Sequence, residues 1–246
     1  MLRIDILTLF PQMFDSFIST SLIARGIEKK IFTINTFDIR SVATDTHKTV
    51  DGRPYGGGAG MVLRVDIVDA ALKAVLKKCS IKRSKTKIIL LTPQGVVFNH
   101  TMSHNLSTIH RHIYICGHYE GFDERVRDLV DAEISLGDFV VTGGEFPAMV
   151  MIDAIARNLP GFLGKESSLH EESFSMNFRP PTSDVRPLLL EYPHYTRPEI
   201  YNGKKVPAVL LTGDHQKIAT WRMQQSLSRT KKRRPDLRLI DNFPPC

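Results

Sequence analysis

Three short glycine-containing segments each follow directly on a stretch with the pattern of a buried strand. TPQG at 92–95 follows KIILL, GHYEG at 117–121 follows HIYIC, and LGDFVVTGGE at 136–145 follows AEIS. In a parallel sheet the carboxyl ends of the strands share one edge, where ligands bind, and glycine lets backbone groups approach a flat ligand closely. Each segment alone is more typical of an ordinary tight turn than of a binding site. Three of them at one edge predict a ligand-binding crevice.

The common nucleotide-binding and nucleophile motifs do not identify the ligand. GGGAG at 56–60 has the wrong spacing for GxGxxG, GFLGK at 161–165 is too short for a P-loop, and GxSxG is absent. The histidine pairs His100/His104 and His110/His112 lack a third ligand, which favours surface or capping roles, and we expect no metal site in the protein. The residues alone leave the ligand open.

The elements that would position these segments alternate along the first part of the chain. Apolar runs predict strands, and apolar positions at helical spacing predict the helices between them. Strands are expected at 3–10, 32–39, 87–92, 112–116 and 132–136, and helices at 13–29, 66–78, 99–109, 122–131 and 147–159. This alternation predicts an α/β fold with a mostly parallel sheet covered on both faces.

Length and composition exclude several classes of protein. The 246 residues are 42% hydrophobic, enough for a sizeable core. No run approaches the ~18–20 apolar residues of a membrane helix, and MLRIDILTLFPQMF reads as a first strand rather than a signal peptide. The three cysteines form no CxxC pair, which argues against a disulfide scaffold and a cysteine zinc site. We expect a cytoplasmic protein with no membrane partner.

The charge is concentrated at one end of the chain. Of a formal net charge of +7, residues 217–246 carry eight basic against two acidic side chains, or +6. This distribution is typical of a polyanion-binding end on a neutral body, although a KKRR run alone is equally typical of a solvated helix face. Because 163–187 lacks hydrophobic periodicity and contains three prolines, we predict a domain at 1–162, a flexible linker at 163–187 and a small basic helical domain at 188–246.

Several segments, in this order, resemble one known family. They are RPYGGGAGM at 53–61, LTPQG at 91–95, CGHYEGFDER at 116–125, LGDFVVTGGEFPAM at 136–149, PHYTRP at 193–198 and WRMQQSLSRTKKRRPDL at 221–237. Together they are similar to the bacterial tRNA (guanine-N1)-methyltransferases, which are SPOUT methyltransferases. The resemblance implies a SPOUT-type parallel sheet with a deep C-terminal trefoil knot, a feature that general folding rules argue against. It also implies a homodimer whose active site is shared between subunits.

The resemblance assigns the three segments to S-adenosylmethionine. Carried over position by position, the implied cofactor contacts are Leu91, Thr92, Pro93, Gln94, Gly95, Gly117, Tyr119, Glu120, Leu136, Gly137, Asp138, Phe139, Val140, Val141, Gly143, Gly144 and Pro147. A catalytic Mg²⁺ is associated with the family, but the sequence contains no self-sufficient magnesium site.

The implied reaction is methylation of N1 of guanosine 37 of tRNA, on the 3′ side of the anticodon. N1 carries a proton, so a carboxylate must remove it, and an arginine can stabilise the charge that develops on O6. Arg157 in DAIAR matches the family's arginine. Glu172 aligns with the family's catalytic aspartate but is one methylene longer, and extra residues at 175–187 leave Glu171 and Asp184 as rival bases.

Alternatives remain for both the function and individual residues. Glu172 could be a solvated linker acid, in which case the chain is a weakened or dead tRNA-binding relative. A SPOUT enzyme acting on another RNA position, such as a ribose 2′-hydroxyl, would not need this carboxylate. We expect the basic end to bind tRNA phosphates, and Trp221 to anchor the core of the small domain rather than stack on a base.

Overall fold

A computed structural model of the chain describes residues 1–164, 172–174 and 188–239, except for the side chains of residues 238 and 239. The chain divides into two compact units, a first unit of Met1–Gly164 and a second unit of Lys165–Cys246. The predicted domain and linker boundaries at 162 and 187 stay predictions. The rival bases Glu171 and Asp184 lie outside the described residues.

The first unit alternates strands and helices, as the sequence pattern predicts. Its strands and helices are β1 (Leu2–Thr8), α1 (Asp15–Ser19), α2 (Ser21–Glu28), β2 (Phe32–Asp38), β3 (Asp51–Gly52), β4 (Val62–Leu63), α3 (Val65–Lys77), β5 (Thr86–Val97), α4 (His100–Ser107), β6 (Arg111–Cys116), β7 (Ala132–Ser135) and α5 (Glu145–Ala156). Short 3-10 turns lie at Pro11–Phe14, Ile39–Val42, Arg83–Lys85 and Glu124–Leu129.

The five main strands form one parallel sheet in the order β2-β1-β6-β5-β7. Both faces are covered, because alternate residues of the central strands belong to two apolar clusters. Leu91 and Cys116 join the cluster on one face, with Ile152 of α5, and Leu90 and Ile115 join the other, with α3. Burial on both faces explains why these strands are continuous apolar runs. The predicted α/β fold with a central parallel sheet is confirmed.

Two predicted helices differ from the structure. The helix expected at 13–29 is divided into a 3-10 turn, α1 and α2, because Thr20 has extended backbone dihedrals and its hydroxyl donates to the carbonyl of Ser16 at 2.7 Å. A threonine hydroxyl that bonds the preceding turn competes with helix propagation. The helix expected at 122–131 is the short 3-10 turn Glu124–Leu129, whose first donor, Arg125 N–H, is capped by Asp123 at 3.0 Å.

The first glycine-containing segment lies inside strand β5 rather than beyond its end. Both Leu91 and Val96 pair with Ile134 of β7, so residues 92–95 leave the sheet and return to the same partner. Gly95 makes the return possible, because a Cβ there would lie 2.4 Å from the backbone nitrogen of Ile134. The strand expected at 87–92 therefore continues to Val97.

The second unit contains a small hairpin and the basic helix. The hairpin pairs β8 (Ile200–Tyr201) with β9 (Lys204–Lys205), and α6 spans His215–Arg233, with 3-10 turns at Ala208–Leu211 and Pro235–Leu239. Asp214 caps α6 by accepting from Lys217 N–H at 3.1 Å. Trp221 is half-buried, with its ring 6.4 Å from that of Tyr195. The predicted C-terminal helix is confirmed. None of the helices in the described residues has the length and apolar character needed to cross a membrane.

Candidate active site

The three glycine-containing segments lie at one edge of the sheet. Strands β6, β5 and β7 are neighbours and run parallel, so their carboxyl ends meet there. We call the turn inside β5 the first loop (92–95), and the segments after β6 and β7 the second loop (117–121) and the third loop (136–145). Together they enclose a cavity of about 360 Å³. This volume falls within the ~300–1,000 Å³ typical of small-molecule sites. The predicted crevice therefore exists, and all three loops contribute to its wall.

Most of the predicted cofactor contacts share the wall of this cavity. They are Leu91, Thr92, Pro93, Gln94, Gly117, Tyr119, Glu120, Leu136, Phe139, Val140, Val141, Gly143, Gly144 and Pro147. Gly95, Gly137 and Asp138 do not line it. Gly95 packs against β7, and Gly137 N–H donates to Ser135 Oγ at 3.1 Å, so these two glycines shape the loop backbones behind the wall.

Glycines bring the second and third loops into direct backbone contact. Gly144 N–H donates to the carbonyl of Gly117 at 2.9 Å. A Cβ on Gly144 would lie 2.6 Å from Cys116 Cα, and a Cβ on Gly117 would lie 2.6 Å from the ring of Phe122. A side chain at Gly144 would push the third loop away from the second loop, and a side chain at Gly117 would displace the Phe122 ring, so both positions require glycine.

A buried carboxylate, Glu145, joins the third loop to the second loop and to β1. Its Oε1 accepts from the Thr8 hydroxyl at 2.5 Å, and its Oε2 lies 2.8 Å from His118 Nε2. The ring of Phe10 meets His118 edge-on at 4.8 Å. A carboxylate that is fully buried is tolerated only with such partners. Glu145 therefore fixes the position of the third loop relative to the second loop.

The thiol of Cys116 lies beneath this junction. Burial raises its pKa, and the nearby Glu145 charge acts in the same direction. A thiol with a raised pKa and no exposure is protonated and inert. Cys116 is therefore part of the core rather than a nucleophile.

Arg127 connects the first loop to strand β7 and to Glu124. Its guanidinium donates to Gln94 of the first loop and to Glu133 of β7, and pairs with Glu124 at 2.9 Å. Arg127 and Glu145 were not among the site residues predicted from the sequence. Their signal is their position inside the CGHYEGFDER–VRD and TGGE segments, next to predicted contacts.

Carboxylates outnumber basic side chains in the cavity wall. Glu120, Asp123 and Glu124 line it, against Arg127. The hydrogen bonds from Arg125 lower the pKa of Asp123 to about 2, so this carboxylate stays charged at neutral pH. Asp123 pairs with Arg125 at 2.7 Å and Glu124 with Arg127 at 2.9 Å, so the excess negative charge of the wall comes from Glu120. This charge favours a ligand with positive charge.

The glycine-rich stretch at 53–61 supports the second loop from outside. Glu120 N–H donates to the carbonyl of Met61 at 3.0 Å, and a Cβ on Gly60 would lie 2.3 Å from Glu120 Cγ. Arg40 donates to the Tyr119 hydroxyl at 3.3 Å, while Tyr119 has a positive φ of 61°. A non-glycine residue in this conformation is uncommon and is characteristic of functional sites.

The predicted catalytic residues lie outside the cavity wall. Arg157 follows the last residue of α5 and is half-buried in the first unit, its N–H donating to the carbonyl of Asp153 at 3.2 Å. Pro147 of α5 lines the cavity, and Arg157 follows it by ten residues, which places the Arg157 backbone about 15 Å further along the helix axis. Glu172 belongs to the second unit, where it is half-buried.

The residues after Glu172 are tied to the second unit by hydrogen bonds. Phe174 N–H donates to the carbonyl of Leu189 at 2.9 Å, and Ser173 Oγ accepts from Glu191 N–H at 3.0 Å. Among the described residues no group of three or more His, Cys, Asp or Glu side chains is placed to hold a metal ion.

Fold and cavity together define a class: an α/β protein with a cavity of small-molecule size at the carboxyl edge of a parallel sheet and with a basic helical unit. The sequence model of one family, tRNA (Guanine-1)-methyltransferase TrmD, matches residues 2–239. The chain belongs to this family, which confirms the resemblance seen in the sequence.

Individual relatives match over almost the full length. The tRNA (guanine-N(1)-)-methyltransferase of Carboxydothermus hydrogenoformans is 51% identical over 96% of this chain and 87% of its own. Those of Endomicrobium trichonymphae and Moorella thermoacetica are 47% and 46% identical, over 96% and 99% of this chain and 99% and 93% of their own.

Proposed function

We propose that the protein transfers a methyl group from S-adenosylmethionine to N1 of guanosine 37 in tRNA. Family membership makes the chain a tRNA guanine-N1 methyltransferase. The observation that carries the finer proposal is the cavity formed by three loops at one edge of the sheet, whose wall contains most of the residues that the resemblance assigns to the cofactor. The SPOUT-type trefoil knot is part of this proposal.

The cavity fits S-adenosylmethionine in size, backbone and charge. Its volume suits a small organic molecule, and the close contacts at Gly117 and Gly144 leave loop backbone rather than side chains facing the ligand. The Glu120 carboxylate in the wall suits a cation. When bound, S-adenosylmethionine supplies a methyl group on a positively charged sulfur, which is an activated electrophile.

The chain's own residues would supply the proton transfer and the charge stabilisation. N1 of guanine becomes nucleophilic only when its proton is removed, and we assign that step to the Glu172 carboxylate, with a typical contribution of ~10²–10⁴ in rate. Removal of the proton leaves negative charge shared with O6, which the Arg157 guanidinium would stabilise. The hydrogen bonds that join Ser173 and Phe174 to Glu191 and Leu189 would fix the backbone next to Glu172.

An exposed apolar face on α5 supports the homodimer. The helix is apolar almost all round, which is typical of a buried helix, yet Phe146 and Val150 are 53% and 51% exposed. These residues are four apart and share one face, and Met13, on the 3-10 turn that packs beside α5, is also exposed. We propose that a second copy of the chain covers this face.

The position of Arg157 supports a shared active site. Its backbone lies about 15 Å along the helix axis from Pro147 in the cavity wall of its own chain, a distance greater than the length of an extended arginine side chain. In a dimer joined through α5, it would act at the cofactor site of the partner subunit.

The basic end of α6 would bind the substrate. Lys231, Lys232 and Arg233 are exposed on its last turn, where they can neutralise phosphates of the tRNA, and binding should weaken steeply with added salt. The cytoplasmic location and the associated Mg²⁺ stay predictions.

The experiment that tests the shared site mixes two impaired variants. Arg157→Ala should lose methyl transfer but bind S-adenosylmethionine normally, whereas Gly95→Ala should lose cofactor binding. If the active site is shared, mixed dimers contain one intact site, and activity reappears on mixing. If mixing restores nothing although native mass spectrometry detects mixed dimers, the shared site is wrong.

The proposed base has its own test. Glu172→Gln should lower the rate constant for methyl transfer by ~10²-fold or more with cofactor binding unchanged. An unchanged rate with 2′-O-methylated product would favour a SPOUT enzyme acting on ribose. Wild-type protein that binds tRNA and leaves it unmodified would favour a dead tRNA-binding relative.

A further inference from the structure

The second unit carries a small hairpin, β8–β9, with a rigid turn. Asn202 and Gly203 connect the two strands with positive φ values of 47° and 75°. Two consecutive positive φ values are the requirement of a type I′ turn, and Asn-Gly is its preferred sequence. Below the turn, Val206 N–H donates to the carbonyl of Glu199 at 2.9 Å. The hairpin is therefore a defined structural feature.

Each face of the hairpin presents one apolar and one basic side chain. Tyr201 pairs with Lys204, and Ile200 pairs with Lys205. Residues directly opposite in an antiparallel pair project on the same face, so the ring of Tyr201 and the ammonium of Lys204 are neighbours. Lys205 projects on the other face.

Nothing in the described part of the chain covers these side chains. Tyr201 is 67% exposed and Ile200 is 53% exposed, and both lysines are exposed. Among the described residues no carboxylate pairs with Lys204 or Lys205, and no group hydrogen-bonds the Tyr201 hydroxyl. Tyr201, Lys204 and Lys205, which are exposed on the two strands of the hairpin, therefore contribute little to the stability of the fold.

We propose that the Tyr201–Lys204 face of this hairpin contacts the tRNA substrate, with the tyrosine ring stacked on an unpaired base and the lysine ammonium beside an adjoining phosphate. An aromatic ring next to a cation is the combination that single-stranded RNA binds, because every base has a face for stacking and every phosphate a charge. The proposal rests on tRNA being the substrate. It adds a base-stacking contact to the phosphate contacts expected from α6.

The fold places the hairpin near the basic helix. The hairpin is followed by the 3-10 turn Ala208–Leu211, which packs against α6 in the same unit. The hairpin and the basic end of α6 therefore belong to the same unit, and a tRNA bound to that unit would contact both.

Four single variants and the full-length wild type test this contact. Tyr201→Ala should raise the Kd for unmodified tRNA transcript by roughly 10-fold, since stacking contributes ~1–3 kcal/mol per base. Tyr201→Phe keeps the ring and should remain near wild type. Lys204→Gln should weaken binding and reduce the slope of log Kd against log salt concentration by about one. Lys205→Gln, with the same charge change on the opposite face, is the matched control and should change both values less.

Each outcome decides the proposal. Unchanged binding by Tyr201→Ala, with melting temperature and S-adenosylmethionine affinity at wild-type values, would overturn it. Equal losses of tRNA affinity for Lys204→Gln and Lys205→Gln would also overturn it, because they would show that the hairpin attracts tRNA by charge on both faces alike. The proposed function fails separately, if wild-type protein binds tRNA without methylating it, and the comparison of variants would still measure the hairpin contact.

Discussion

Replacement of Gly95 by alanine should disable the cavity without touching any residue that lines it. A Cβ at this position would lie 2.4 Å from the backbone nitrogen of Ile134, and 2.5 and 2.6 Å from the carbonyl carbon and oxygen of Glu133. All three atoms belong to the backbone of β7, which is fixed in the sheet by its pairing with β5. The first loop, rather than β7, must therefore move.

The size of the movement follows from these distances. Ordinary van der Waals contact of a Cβ begins at 3.4 Å, so a Cβ at 2.4 Å must withdraw by 1.0 Å. Overpacking of this kind typically costs about 1–3 kcal/mol of folding stability, and a 1 Å misplacement of binding groups can cost ~10²-fold in activity. We expect Gly95→Ala to lose about that factor in kcat/KM for S-adenosylmethionine.

The assay combines isothermal titration with S-adenosylmethionine, methyl-transfer kinetics and urea unfolding. Gly52→Ala is the matched control, because its Cβ would meet nothing nearer than 4.0 Å, and it should behave as wild type. A Gly95→Ala protein that unfolds like wild type and keeps its S-adenosylmethionine affinity would refute the argument that the contact with β7 sets the cavity.

Three further predictions concern buried polar groups of the first unit. Glu145→Ala should lower the free energy of unfolding by roughly 3 kcal/mol, the lower end for two lost hydrogen bonds to a charged group, and Glu145→Gln should lower it less. Burial lowers the pKa of His112 to about 4 from 6.5. Below pH 6.5 the unfolded state therefore binds a proton at His112 that the native state does not bind. As the pH is lowered from 6.5 to 4, the free energy of unfolding should decrease by up to about 1.4 kcal/mol per pH unit. His112→Gln should flatten this slope in urea titrations, and an unchanged slope would contradict the assignment. In native protein Cys79 should be alkylated before Cys116, whose thiol is buried and has a raised pKa. Equal labelling of the two cysteines, measured by mass spectrometry, would contradict the burial of Cys116.

The parallel sheet and its binding edge could be predicted because their signals are local. Residues 87–91 and 112–116 are continuous apolar runs, and each run is followed by a glycine-containing segment, so their order along the chain was enough to place the loops at one edge. The basic helix α6 likewise follows from charge and spacing within one segment.

Features that depend on distant partners could not be predicted. Thr8 and Glu145 are 137 residues apart in the chain, and neither has a local pattern that reveals the hydrogen bond between them. The return of β5 after the first loop depends on the space that Gly95 leaves beside β7, which is a tertiary contact. The break at Thr20 was missed because apolar spacing continues on both sides of it.

The most direct test of the central claim is methyl transfer from labelled S-adenosylmethionine to two tRNA transcripts that differ only in guanosine or adenosine at position 37. The modified nucleoside is then identified by mass spectrometry after complete digestion. We expect 1-methylguanosine from the guanosine transcript and no label on the adenosine transcript. Label on both transcripts, or label in a nucleoside other than 1-methylguanosine, would contradict the proposed function.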